Sequence, residues 1–251
     1  MAITGHEIHR RYDGLGAIQV FEDRDRRFLS FDGDAEQSCI LIERPWSPVY
    51  QYCQAMLMAY ALCERPPQRA LLAGLGGGSL VHCLLRIDPT IELDVLEYRA
   101  EVIAVAQEYF LLNQAPAHRI HQVDATEFEA LPQGYELIFS DLFHDDCMNP
   151  AQLSLDYTRR CRQALSRRGI LVLNLWLEEK WAYPDAIRAL SREFDGQLLG
   201  VEVPEGNLVL YLFNDRAPEL NPRLLQRQAR DLGRRVEAPL QRVASAITRL
   251  D

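Results

Sequence analysis

The chain has 251 residues, enough to bury one large core, and 48% apolar with 9% aromatic residues excludes a disordered or fibrous protein. Its 36 acidic and 27 basic side chains leave a formal charge of −9 without a basic stripe in the sequence, so no nucleic-acid partner is expected. The 6 cysteines make no C-x-x-C pair and the 6 histidines show no ligand spacing, which predicts free thiols in a reducing, cytoplasmic setting and no metal.

In chain order, residues 17–21, 27–31 and 38–42 read as strands separated by charged turns, one of them Asp32-Gly33-Asp34, so 1–45 is predicted to be a small antiparallel β unit. Pro45 and Pro48 close it. Tyr52, Met56, Ala59, Tyr60 and Cys63 then recur at helical spacing until Pro66-Pro67. From Ala70, strands at 70–73, 91–96, 120–123, 135–140 and 169–174 alternate with helices at 79–86, about 100–111, near 126–131 and 152–166. That alternation implies an α/β, Rossmann-like doubly wound sheet, mostly parallel, over 46–215.

Gly169 reads as the cap ending helix 152–166, and Pro184 opens a helix over 184–194. The stretches 197–203 and 208–213 flank Pro204-Glu205-Gly206-Asn207 and predict a terminal antiparallel hairpin. The C-terminal extension, 216–251, repeats apolar residues from Leu225 to Leu250, with interruptions at Gly233 and Pro239. It is predicted as a helix pair packed on the domain rather than a dimer arm. The opening residues lack the apolar stretch of a secretory signal. The longest apolar tract, around 70–85, is broken by glycines and falls short of the roughly 20 residues that span a bilayer, so no membrane association is expected.

The chemistry concentrates at the predicted strand ends. Strand 70–73 runs into Gly74-Leu75-Gly76-Gly77-Gly78-Ser79, a turn that brings backbone N–H groups and a helix N-terminus against a nucleoside or phosphate. Glu97, at the end of the next strand, is placed to accept ribose hydroxyls. Asp124-Ala125 follows the third strand, where the carboxylate takes an adenine amine or caps the next helix; both roles stay open. Asp141 follows the strand 135–140, at the reacting end of the crevice, with His144 just beyond. A nicotinamide site is disfavoured, because Ser79 stands where the third glycine of G-x-G-x-x-G would fall and Asp124 and Asp141 have no role in it.

From about residue 18 to 213 these motifs resemble the spermidine synthases, the polyamine aminopropyltransferases, and more closely their bacterial relatives with a Gly-Leu-Gly-Gly-Gly-Ser-Leu turn. The resemblance rests on Gln37-Ser38, Tyr52 with Met56, the turn 74–80, Glu97, Asp124-Ala125, Asp141 and the stretch from Gly169 to Trp176. It implies a class I methyltransferase type of fold and a homodimer formed through the N-terminal unit. It also implies an S-adenosylmethionine or decarboxylated S-adenosylmethionine donor held by Gln37, Gly74, Gly76, Gly78, Glu97, Asp124 and Ala125. A small-molecule amine acceptor would be contacted by Tyr52 and His144, with Asp141 as the catalytic carboxylate.

There are departures. Gly77 stands where the family's acid grips the aminopropyl amine, Gln54 replaces the glutamate of a Tyr-x-Glu, and His144 replaces the second aspartate of D-x-x-D; the family's late tyrosine has no match in 204–207. The implied reaction is in-line displacement at a carbon beside a sulfonium. An alkyl amine with a pKa of about 10 must lose a proton first, to Asp141 or to His144. The expected function is therefore a spermidine-synthase-like transferase that alkylates an amine, aminopropyl by resemblance. The alternatives are an S-adenosylmethionine-dependent methyltransferase and a non-catalytic nucleoside-binding homologue.

Overall fold

A computed structural model describes residues 5–31, 36–115, 118–127, 133–144, 147–177 and 183–250. Four antiparallel strands, β1 (His6–Asp13), β2 (Gly16–Asp23), β3 (Arg26–Phe31) and β4 (Ser38–Leu41), form the N-terminal sheet in that order. The sequence gives no sign of β1, because HEIHRRYD has no apolar alternation. Pairing with β2 holds it in place instead.

After α1 (Gln51–Leu62) the chain enters an eight-stranded sheet. Five strands run parallel: β5 (Arg69–Ala73), β6 (Glu92–Glu97), β7 (Arg119–Gln122), β8 (Tyr135–Ser140) and β11 (Leu165–Trp176). Between β8 and β11 lies a short ribbon, β9 (Phe143–His144) with β10 (Cys147–Met148). The sheet is completed by antiparallel β12 (Leu198–Glu202), β13 (Asn207–Phe213) and β14 (Thr248–Arg249). The spatial order is β14-β12-β13-β11-β8-β5-β6-β7. Strand order therefore reverses between β5 and β8, and ligands of such sheets bind outside the strand ends at that point.

Helices α2 (Ser79–Ile87), α3 (Ala100–Tyr109), α4 (Leu155–Ala164) and α5 (Pro184–Glu193) make the crossovers, while α6 (Pro222–Val236) and α7 (Gln241–Ala246) pack over α1. Burial surrounds α1: Cys53, Gln54, Ala55, Met56, Leu57, Met58 and Ala59 are all enclosed, as expected of a helix with no solvent face. Among the described residues no helix is long and apolar enough to cross a membrane, and no cluster of three or more His, Cys, Asp or Glu side chains is arranged to hold a metal.

Several sequence expectations change. The helix predicted at 152–166 is a 3-10 turn, Pro150–Leu153, followed by α4, which Ser154 caps by accepting from the Tyr157 N–H at 3.2 Å. Gly169 is not its cap but lies inside β11, where a Cβ would meet the Tyr135 carbonyl at 2.8 Å. Gly233 does not interrupt α6, which continues to Val236; a Cβ there would stand 2.4 Å from the Ala238 carbonyl, so the glycine lets the chain double back. Of the helix predicted near 126–131, residues 125–127 form a turn and 128–131 lie outside the described residues.

At the sheet end remote from the glycine turn, the buried Asp94 carboxylate accepts from Arg119 at 2.8 and 3.1 Å, His121 at 2.9 Å and Tyr135 at 2.8 Å. Burial pushes this carboxyl up, but the three donors outweigh it and hold it well below the usual carboxylate range. Its contribution to stability is thus present at neutral pH and lost as pH falls below the ordinary aspartate value of about 3.9. Asp94→Ala is expected to lower stability by about 2–3 kcal/mol in a urea melt at pH 7, leaving the Tyr135 hydroxyl unpaired. An unchanged midpoint would show that the cluster contributes nothing net.

Candidate active site

A cavity of about 720 Å³ opens at the switch point, bounded by the ends of β5, β6, β8 and β11, the start of α1 and the edge of the N-terminal sheet. Its floor is set by close backbone approach. Gly74 has φ +94°, and a Cβ there would lie 2.2 Å from the Asp141 carbonyl oxygen, while the Asp141 N–H donates to the Ala73 carbonyl at 2.9 Å. Gly76 has φ +51° and faces Ser38; Gly78, at φ +74°, caps α2 and does not itself line the cavity. Gly77 is closed off for another reason, because a Cβ would meet the Phe110 ring at 2.7 Å and Ser38 Oγ at 3.0 Å.

Glu97 caps the glycine turn. Its two oxygens accept the Leu75 N–H at 3.1 Å and the Arg99 N–H at 2.9 Å. Burial pushes its carboxyl upward and these amides pull it back only in part, so the net shift is upward. A carboxylate oxygen accepts more than one hydrogen bond, so Glu97 keeps capacity for two hydroxyl donors in the cavity.

Asp124 and Ala125 line the same wall. Asp124 Oδ1 accepts both the N–H and the hydroxyl of Thr126 at 2.7 Å, which is local turn capping and uses a single oxygen. Gln37 also lines the cavity, with its N–H donating to the Leu29 carbonyl at 2.8 Å.

Asp141 lines the cavity together with Tyr52, whose ring stacks on Tyr50 with centroids 5.8 Å apart. Asn174 Nδ2 donates to Asp141 Oδ1 at 2.8 Å. Burial nonetheless wins, pushing the Asp141 carboxyl up to about 6. Since its folded value exceeds the unfolded one, ionising Asp141 removes stability as pH rises from about 4 to about 6. The fold keeps a carboxyl poised to take a proton near neutrality. His144 belongs to β9, and its side chain lies outside the described residues, as do Asp145 and Asp146.

Asn174, Glu205, Asn207, Trp176, Glu36 and Tyr50 also line the cavity and were missed by the sequence reading. A signal existed for Asn174, the one polar residue in the run 170–175. Glu205 gave none, because a glutamate beside Pro204 and Gly206 is ordinary turn chemistry.

The cavity lies outside the strand ends at the point where strand order reverses, the usual ligand position in such sheets. No family model matches the chain. The polyamine aminopropyltransferase of Vibrio vulnificus (strain CMCP6) is 29% identical over 234 residues, which is 90% of this chain and 77% of that protein. The chain is similar to the polyamine aminopropyltransferases.

A spermidine synthase in complex with the transition-state analogue AdoDATO shares its fold, with TM-score 0.72 over 98% of this chain and 85% of that one, at 16% identity. Human methyltransferase-like protein 13, in complex with SAH, is 26% identical, with TM-score 0.63 over 76% of this chain and 94% of that one. The chain is thus similar to transferases of both kinds. Gly74→Ala should cost at least about 3 kcal/mol in a thermal melt, since the Asp141 backbone cannot move away as a side-chain tip would. A variant as stable as the parent would mean that the turn relaxes freely.

Proposed function

We propose that the chain transfers an aminopropyl group from decarboxylated S-adenosylmethionine to an amine acceptor. The observation that carries this reading is Asp141, a proton acceptor at the junction of the two halves of one cavity. In strand order, the glycine turn, Glu97 and Asp124 follow β5, β6 and β7 to one side of β8, while Trp176 ends β11 and Glu205, bound to the Tyr52 N–H, precedes β13 on the other. The wall holds the carboxylates of Glu97, Asp124, Asp141 and Glu205 besides Glu36, which pairs with Arg26 at 2.6 Å, and its one described guanidinium, Arg99, is bound to Asp13 at 2.8 and 2.9 Å. Such a wall attracts a sulfonium donor and an ammonium acceptor alike.

The chemistry follows from that placement. The acceptor amine gives a proton to Asp141, its lone pair attacks the carbon beside sulfur, and the C–S bond breaks with its electron pair returning to sulfur. The products are an alkylated amine and a neutral thioether nucleoside, so no further reactant is required. In this reading Gln37, Gly74, Gly76, Glu97, Asp124 and Ala125 hold the nucleoside, Gly78 starts the helix behind it, and Tyr52 faces the acceptor.

Methyl transfer is the second reading, and one observation favours it. With Phe110 and Ser38 closing the space at Gly77, no acid can occupy the position that grips the aminopropyl amine in the family resembled. Incubation with each donor and a panel of diamines, read by product mass, decides between them. Aminopropyl products support the main reading, methyl products the second, and neither would leave a nucleoside-binding homologue.

Glu97→Ala should weaken methylthioadenosine binding by about 1.5–3 kcal/mol in calorimetry, the usual size of a lost charge-assisted hydrogen bond. Unchanged affinity would put the ribose elsewhere. With Asp141 as base, kcat/KM should fall as pH drops below about 6. We also propose a homodimer through the N-terminal sheet, whose outer strand β1 has an open edge. Light scattering that returns a monomer mass would count against it.

A further inference from the structure

We propose that Asn207 and Asn174 are positioning residues acting in series, Asn207 fixing which end of the Asn174 amide faces Asp141, so that the turn between β12 and β13 sets the ionisation of the site's base. An asparagine amide offers a donor at one end and an acceptor at the other. Turned one way, Asn174 gives Asp141 an N–H and favours the carboxylate; turned the other way, it gives an oxygen and favours the protonated acid. Asn207 Nδ2 donates to Asn174 Oδ1 at 3.0 Å, which engages the oxygen and leaves Asn174 Nδ2 for Asp141 at 2.8 Å. Both asparagines line the cavity yet are 1% and 3% exposed, so each side chain is held almost wholly by protein contacts.

The rest of Asn174 is already fixed. Its main-chain carbonyl accepts from Gln152 Nε2 at 3.0 Å. Gln152 Oε1 in turn accepts from Ser140 Oγ at 2.9 Å, and Ser140 Oγ accepts from the Tyr157 hydroxyl at 2.9 Å. Ser140 immediately precedes Asp141, so one buried network pins the backbone on both sides of the Asp141–Asn174 bond. The remaining freedom is the flip of the amide, and the contact that decides it comes from Asn207.

The same turn reaches the opposite wall: Glu205 accepts the Gln51 and Tyr52 N–H groups at 2.9 and 3.1 Å at the start of α1, a helix with no side-chain cap of its own. The titratable groups around Asp141 are Tyr52 and Cys53 from α1, Glu205 from the turn, and Glu97 and Asp124 along the cavity wall, with Arg99 paired to Asp13. None of these donates to the carboxylate among the described hydrogen bonds; Asn174 does.

The inference rests on the proposed function only in naming Asp141 the base, and its test needs no turnover. In protein labelled with carbon-13 at aspartate carboxyls, without donor or acceptor, the Asp141 resonance is identified by its loss in Asp141→Asn and followed against pH. Asn174→Leu should raise the Asp141 midpoint by about one unit, a tenfold change in proton affinity. Asn207→Leu should raise it in the same direction by less, and the double variant should match Asn174→Leu alone, because the two residues act in series. Asn207→Gln, which keeps an amide N–H donor for Asn174, should shift the midpoint less than Asn207→Leu; it also serves as the folded comparison if the leucine variant is unstable. A midpoint unmoved by Asn207→Leu, or full additivity in the double variant, would overturn the proposal. Product assays judge the transferase reading separately.

Discussion

The site depends on one close approach, the main chain of Gly74 against that of Asp141 where β5 and β8 run side by side. Adjacent parallel strands ending together would bring any two residues near each other. Here the Ala73 carbonyl takes the Asp141 N–H, and the missing Cβ of Gly74 admits the Asp141 carbonyl, so the two chain segments leave the sheet at a fixed separation. One segment becomes the glycine turn, with Glu97 stapled to Leu75 behind it; the other carries the Asp141 side chain. The glycine turn and the Asp141 carboxyl are therefore held to each other through backbone rather than through flexible side chains, which is the preorganisation that the proposed displacement requires.

Around that contact the interior is polar but satisfied. Tyr157, Ser140, Gln152, Asn174 and Asn207 form a continuous chain of donors and acceptors beneath the strand ends. Breaking it would leave buried groups unpaired, at about 1–3 kcal/mol for each. A purely apolar floor would pack as densely, yet would not fix the direction in which hydrogen is offered to Asp141. A similar logic applies to Asp94 at the far end of the sheet, where three donors keep one buried carboxylate charged.

Much of this was legible locally. An apolar run followed by glycines or by an acid identifies a strand end without knowledge of its neighbours, and Gly74, Gly76, Glu97, Asp124 and Asp141 were all readable in that way. Glu205 and Asn207 were not, because their meaning lies in partners 154 and 33 residues away. Gly169 and Gly233 show the opposite failure. Each sits in a local pattern that suits a helix end or a break, and in each case a carbonyl from another segment, Tyr135 or Ala238, is what requires the glycine. At Gly77 the local pattern suggests a loop open to a ligand, while the Phe110 ring covers it from outside. β1 was invisible because cross-strand pairing, not apolar alternation, builds it.

The burial of α1 on every side bears on how the chain is made. Glu205, which caps its first turn, lies 154 residues downstream, and Glu237, which receives Trp46 Nε1 at 3.1 Å and Ser47 Oγ at its carbonyl, lies about 190 residues downstream. A ribosome delivers α1 long before either partner, and before α6 and α7 arrive to cover it. During synthesis this deeply buried helix is therefore uncapped and uncovered, and contacts so distant in sequence close slowly. Completion of this interior awaits α6 and α7, so a nascent chain that stalls before residue 222 exposes the very helix that carries Tyr52.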